Sequence, residues 1–102
     1  MATLYYVIKN TQPLEGTRGV PSLREAVNLL LVRAAVLVEL EDGEPGTVLL
    51  DESVHRGDPI LARMAETMRR RKRRGLGSTV RLSDPNSSDQ YEILAFQEDK
   101  IG

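Results

Sequence analysis

Residues 35–51 read AVLVELEDGEPGTVLLD, and the reading of this stretch decides the fold. Val36, Val38 and Leu40 share one face while Leu37, Glu39 and Glu41 share the other, the period of two that belongs to a strand. Asp42-Gly43-Glu44-Pro45-Gly46 gathers residues that turn a chain. Thr47 to Asp51 then returns, with Val48 and Leu50 on one face. A β-hairpin is expected, and what flanks it on each side is a helix.

Upstream, Ser22 stands three residues before Glu25, the spacing of a capping box. Leu23, Ala26, Val27, Leu30, Leu31 and Ala34 follow at helical spacing, which predicts a helix over 22–34. Downstream, Asp58 can cap a helix whose first position is Pro59, where a missing amide costs nothing. Ile60, Leu61, Met64, Ala65 and Met68 form its apolar stripe, and Gly75 and Gly77 stop it after about Arg73.

The ends of the chain complete the sheet. Residues 3–9 are rich in aromatic and β-branched types and read as a first strand. Residues 10–21, with Pro13, Gly16, Gly19 and Pro21, read as a long loop. Thr79 to Asp84 and Tyr91 to Gln97 read as strands around the loop 84–89. The expectation is a single α+β domain over 1–102. It has two layers in a β-α-β-β-α-β, ferredoxin-like arrangement, with an extra C-terminal antiparallel strand.

Composition excludes several chemistries. The 102 residues include no cysteine and one histidine, so a disulfide scaffold, a thiol nucleophile and a multi-histidine metal cage are ruled out. No apolar run approaches the ~20 residues of a membrane span, and no secretory signal is visible. A cytoplasmic protein without a membrane partner, cofactor or metal is expected.

The net charge of −1 conceals an asymmetry. Residues 56–81 hold nine cations and two anions; the rest of the chain holds five cations and thirteen anions. Arg69-Arg70-Arg71-Lys72-Arg73-Arg74 is the centre of the basic block, with Arg63 and Arg81 flanking it. Two cations satisfy a helix C-terminus, and six repel one another. Phosphate offers a reason for the excess, since each neutralised phosphate releases counterions and guanidinium presents paired donors. A run meeting the protein's own acidic hairpin, or that of a neighbouring subunit, is the alternative.

Aromatic residues that stack bases are absent from the block: Tyr5, Tyr6, Tyr91 and Phe96 all lie elsewhere. Any contact with nucleic acid would therefore read backbone and not sequence. With helices on one face of the sheet, Tyr5, Val7, Leu37, Leu49 and Phe96 are expected on the other. That makes an apolar face suited to a homodimer or a protein partner, unless the loop 10–21 folds over it.

Other candidates are weaker. Asp51, Glu52 and His55 offer an acid/base or metal set without a third partner at supporting spacing. Gly16-Thr17-Arg18-Gly19 and Gly75-Leu76-Gly77-Ser78-Thr79 could approach a phosphate, and more simply serve as connections. Ser83, Ser87 and Ser88 lack a base and read as turn chemistry. Leu4-Tyr5-Tyr6-Val7 resembles the first strand of the small ferredoxin-like nucleases of bacterial immunity systems. Those enzymes need an acidic residue at the end of that strand, where Lys9-Asn10 stands here, so the resemblance implies no nuclease activity. The expected function is a small non-enzymatic binding protein whose arginine-rich helix end docks on nucleic-acid phosphates or another polyanion. An assembly subunit that uses its apolar sheet face, with the arginines on an acidic protein surface, is the second expectation.

Overall fold

A computed structural model describes residues 2–55, 57–72 and 77–98. The elements run β1 (Ala2–Lys9), β2 (Gln12–Pro13), α1 (Leu23–Leu31), β3 (Val36–Leu40), β4 (Gly46–Leu50), α2 (Pro59–Arg70), β5 (Ser78–Ser83) and β6 (Gln90–Glu98). They form one six-stranded sheet in the order β2-β1-β6-β5-β3-β4, antiparallel throughout.

That order corrects the ferredoxin-like expectation in part. β4 and β5 both pair antiparallel with β3, so β4-α2-β5 is a parallel crossover split by one strand. The first half of the chain does not repeat this. β5 and β6 form a hairpin that inserts whole between β1 and β3, leaving the strands joined by α1 antiparallel and two strands apart. The C-terminal strand is therefore central, not an appended edge.

Helix starts follow local chemistry. Ser22 Oγ accepts from the Glu25 amide at 3.2 Å and donates to its carboxylate at 3.1 Å. Asp58 Oδ1 accepts from the Ile60 amide at 3.0 Å. The ends come earlier than the apolar periodicity suggests. α1 closes at Leu31, and the Arg33 guanidinium donates back to the Leu29 carbonyl at 2.8 Å, where a cation suits the helix dipole.

One core lies between the helices and one face of the sheet. It gathers Ala26, Val27, Leu30, Met64 and Met68 from the helices with Val7, Val36, Val38, Leu40, Val80, Leu82 and Ile93 from the strands. Two buried threonines behave differently. Thr67 Oγ1 on α2 accepts from the Glu41 amide at 2.8 Å, tying the helix to the end of β3. Thr79 Oγ1 on β5 has no hydrogen-bond partner although the residue is 3% exposed. Thr67→Val orphans an amide and should cost about 1–2 kcal/mol, whereas Thr79→Val removes a lone hydroxyl and should be neutral or stabilising by up to about 1 kcal/mol. Urea unfolding midpoints of the two variants check this, and equal losses would contradict it.

The loop 10–21 departs most from expectation. Asn10 and Thr11 turn the chain with φ of +49° and +71°, and β2 pairs back on Ile8 and Lys9. A β-branched residue is rare at such a φ, so nothing in the sequence advertises the turn. The chain then runs along the free edge of β1, where Tyr5 and Val20 exchange amide hydrogen bonds at 2.8 and 3.0 Å. The Tyr6 ring sits so close to Gly19 that an added Cβ would stand 2.8 Å from it. The segment is an edge strap that blocks strand addition at β1. It is not a lid over the sheet.

Candidate functional site

The C-terminal turn of α2 separates its cations into two populations. Arg69 and Arg70 point to solvent, with side chains 70% and 51% exposed. Both reach the single carboxylate of Glu66, at 3.0 and 3.6 Å. Lys72 is exposed as well. Arg71 does the opposite. It leaves the helix as the C-cap and turns under the sheet, where its side chain is 11% exposed.

There Arg71 Nε donates to Glu41 Oε2 at 2.9 Å, and Nη2 donates to Glu41 Oε1 and pairs with Glu39 Oε1 at 3.3 Å. Arg63, two turns earlier, forks onto Asp42 with bonds of 2.7 and 3.2 Å. The Arg71 hydrogen bonds hold the Glu41 carboxyl below its usual range, and those of Arg63 do the same for Asp42. The acidic hairpin and the helix are thus clasped by two forked, charge-assisted pairs. α2 ends at Arg70, earlier than the expected end near Arg73, and Arg71, out of helical geometry, pairs with Glu39 of β3 and with Glu41 just beyond it.

The remaining members of the basic set are scattered. Arg81 lies exposed on the sheet face away from the helices. Its register neighbours are Glu39 on β3 and Glu92 on β6. Arg73 and Arg74 lie outside the described residues.

The proposed apolar face needs its phase corrected on β1. Tyr5 pairs with Ala95 and Val7 with Ile93, so both face the helices, and Val7 is buried in the core. The opposite parity carries Leu4, Tyr6 and Ile8, whose register partners are Phe96, Leu94 and Glu92. Leu37, Leu49 and Phe96 do lie on the open face; Leu49 is 52% and Phe96 37% exposed. Alternation could not set this phase, because both parities of residues 4–8 are apolar.

The weaker candidates resolve into local structure. Asp51 Oδ1 accepts from the Ser53 amide at 2.8 Å, and His55 is exposed in the turn before α2. Among the described residues no group of three acidic or histidine side chains could hold a metal ion. Asp84 and Ser87 accept from the amides of Asn86 and Asp89, which is turn chemistry. No described helix is long and apolar enough to cross a membrane.

The expected alternative, a basic run that meets the protein's own acidic hairpin, holds for Arg63 and Arg71; which arginine of the run turns inward, and the edge strap, escaped sequence reading. The meeting itself had a signal, since Glu39, Glu41 and Asp42 end one strand while the arginines end the helix packed above it.

Comparison with known proteins adds no family assignment: no family model matches the chain, and neither a curated protein nor a solved structure is significantly similar to it.

Proposed function

We propose that this chain is a cytoplasmic, non-enzymatic binding protein whose α2 end docks on nucleic-acid phosphates with little sequence readout. The division among the cations supports the reading. Arg63 and Arg71 are occupied by hairpin carboxylates, and those carboxylates are then satisfied. Arg69, Arg70 and Lys72 stand outward with Glu66 as the carboxylate that Arg69 and Arg70 share. Exposed ion pairs of that kind contribute about 0–1 kcal/mol, so Glu66 yields readily to a phosphate. The partial negative charge of the helix C-terminus helps to gather the cations and is outweighed by them when an anion approaches.

Backbone recognition is favoured over base recognition. Tyr91 is buried in the core and Tyr5 packs against it, Tyr6 lies against Gly19 in the strap, and Phe96 is on the open face of the sheet. None supplies a stacking platform at the α2 end.

The test compares wild type with an Arg69→Ser, Arg70→Ser, Lys72→Ser variant for binding to fluorescent single- and double-stranded DNA and RNA at low salt. Micromolar binding by the wild type, weakened at least tenfold in the variant and similar across sequences, is expected. Equal binding by both proteins, or affinity weaker than millimolar, would overturn the reading and leave an acidic protein surface as the partner to seek.

A further inference from the structure

We infer that the edge strand β4 pairs antiparallel with β4 of a second copy of this chain, with Leu49 at the two-fold axis. The sheet has two edges, and the chain treats them differently. The β1 edge is closed by β2 and by the bonds between Tyr5 and Val20. The β4 edge is open: among the described residues its strand partner is β3 alone, and no loop backbone bonds to it. Gly46-Thr47-Val48-Leu49-Leu50 also holds no charge and no proline, the residues that keep an edge from adding a strand.

The register points to the occupant. A two-fold axis perpendicular to the sheet must set a residue against its own mate, because opposed side chains share a face. Centring on Thr47 draws Pro45, which has no amide to donate, into the pairing. Centring on Val48 sets Glu44 against Glu52 of the second copy, a like-charge pair at each end. Centring on Leu50 runs off the end of the strand. Centring on Leu49 sets Asp51 and Glu52 against the neutral Thr47 and Gly46. It also continues the apolar rows of the sheet. Leu37 lies beside Leu49, so four leucines line up across the junction on the open face. On the helix face, Val38 and Val48 run on into Leu50 and Val36 of the second copy. A foreign strand would need this alternation and uncharged residues opposite Asp51 and Glu52; a second copy carries both.

The two sheets thus become one, and the isologous contact closes as a dimer. The pairing is short and buries less than the ~1,200 Å² of a standard interface, so association is reversible and in the high micromolar range. No residue of α2 takes part, and the contact is independent of the phosphate site.

The chain has no cysteine, so single introduced thiols report the register. Opposed residues of an antiparallel pair have Cα atoms about 4.5–5.5 Å apart, within disulfide reach. Under mild oxidation at high micromolar protein, Leu49→Cys should form a covalent dimer at least tenfold faster than Thr47→Cys, whose own mate stands about 14 Å away. Val32→Cys, at an exposed position of the helix layer, should be equally slow. Sedimentation equilibrium up to near-millimolar protein should take wild type from the monomer mass of 11.4 kDa toward twice that value. Leu49→Lys opposes two cations at the axis and should move that midpoint at least tenfold higher. Equal crosslinking of the three thiol variants, or faster crosslinking of Thr47→Cys, would overturn the inference. A wild-type monomer at every concentration would also overturn it and leave a foreign strand as the occupant to seek.

Discussion

Gly77→Ala should destabilise the protein by roughly 3–4 kcal/mol, far more than the same change at Gly16. Gly77 immediately precedes β5 with φ of +85°, and a Cβ built there would stand 2.0 Å from the carbonyl oxygen of Ala95. The left-handed conformation alone costs an alanine about 1–2 kcal/mol. The clash adds the larger share, because the atom it meets is backbone of the central strand β6 and cannot swing aside. Relief requires parting β5 from β6 where the hairpin enters the sheet, and an effect of this size belongs to the upper tail of single substitutions. Gly16 has a similar φ of +77° with nothing within 4 Å of its would-be Cβ, so Gly16→Ala should lose only the conformational part. Equal losses at the two sites in urea unfolding would show that the close approach to Ala95 is unimportant. The contact also settles the role of Gly77 beside the basic run: it serves strand approach.

Arg71→Gln should cost about 1.5–2 kcal/mol, whereas Arg69→Gln should change stability by less than about 0.5 kcal/mol. The two residues lie two positions apart in the same run and are chemically identical. Arg71 makes forked hydrogen bonds to Glu41 and pairs with Glu39, and its loss leaves two carboxylates facing each other at the end of β3. Hydrogen bonds to charged groups contribute about 1.5–3 kcal/mol, discounted here because both glutamates are half exposed. Arg69 makes one exposed pair with Glu66.

The clasp also sets a dependence on pH. Glu41 and Asp42 titrate lower in the folded protein than in the unfolded chain. Their contribution is therefore complete above the ordinary carboxylate range near pH 4 and is lost as pH falls below it, through the depressed values. Wild-type stability should fall steeply on that acid side, and Arg71→Gln should flatten the decline. An equal acid slope in both proteins would mean that the Glu41–Arg71 contact is not maintained in solution.

What was legible in the sequence was local. The hairpin at 36–50, both helix caps and the apolar stripes depend on residues within a few positions of one another, and they stand where the patterns put them. The order of the sheet depends on pairings across most of the chain, such as Ala2 with Glu98, and no local pattern encodes them. β2 was missed because its turn uses Thr11 at a φ that threonine seldom takes. The face of β1 was misassigned because Leu4, Tyr6 and Ile8 are as apolar as Tyr5 and Val7. Six consecutive cations look equivalent on paper, and only the carboxylates of β3 distinguish Arg71 from its neighbours. The candidate site was thus visible as a charge asymmetry, while the split between structural and outward arginines was not.

The most direct measurement is the salt dependence of nucleic-acid binding between 50 and 200 mM. Three phosphates neutralised by Arg69, Arg70 and Lys72 give a log–log slope near −2.7 on duplex DNA, a loss of about 40-fold over that range. The triple serine variant should lose most of that slope. A wild-type slope near zero, or one the variant shares, would contradict a phosphate contact at the end of α2.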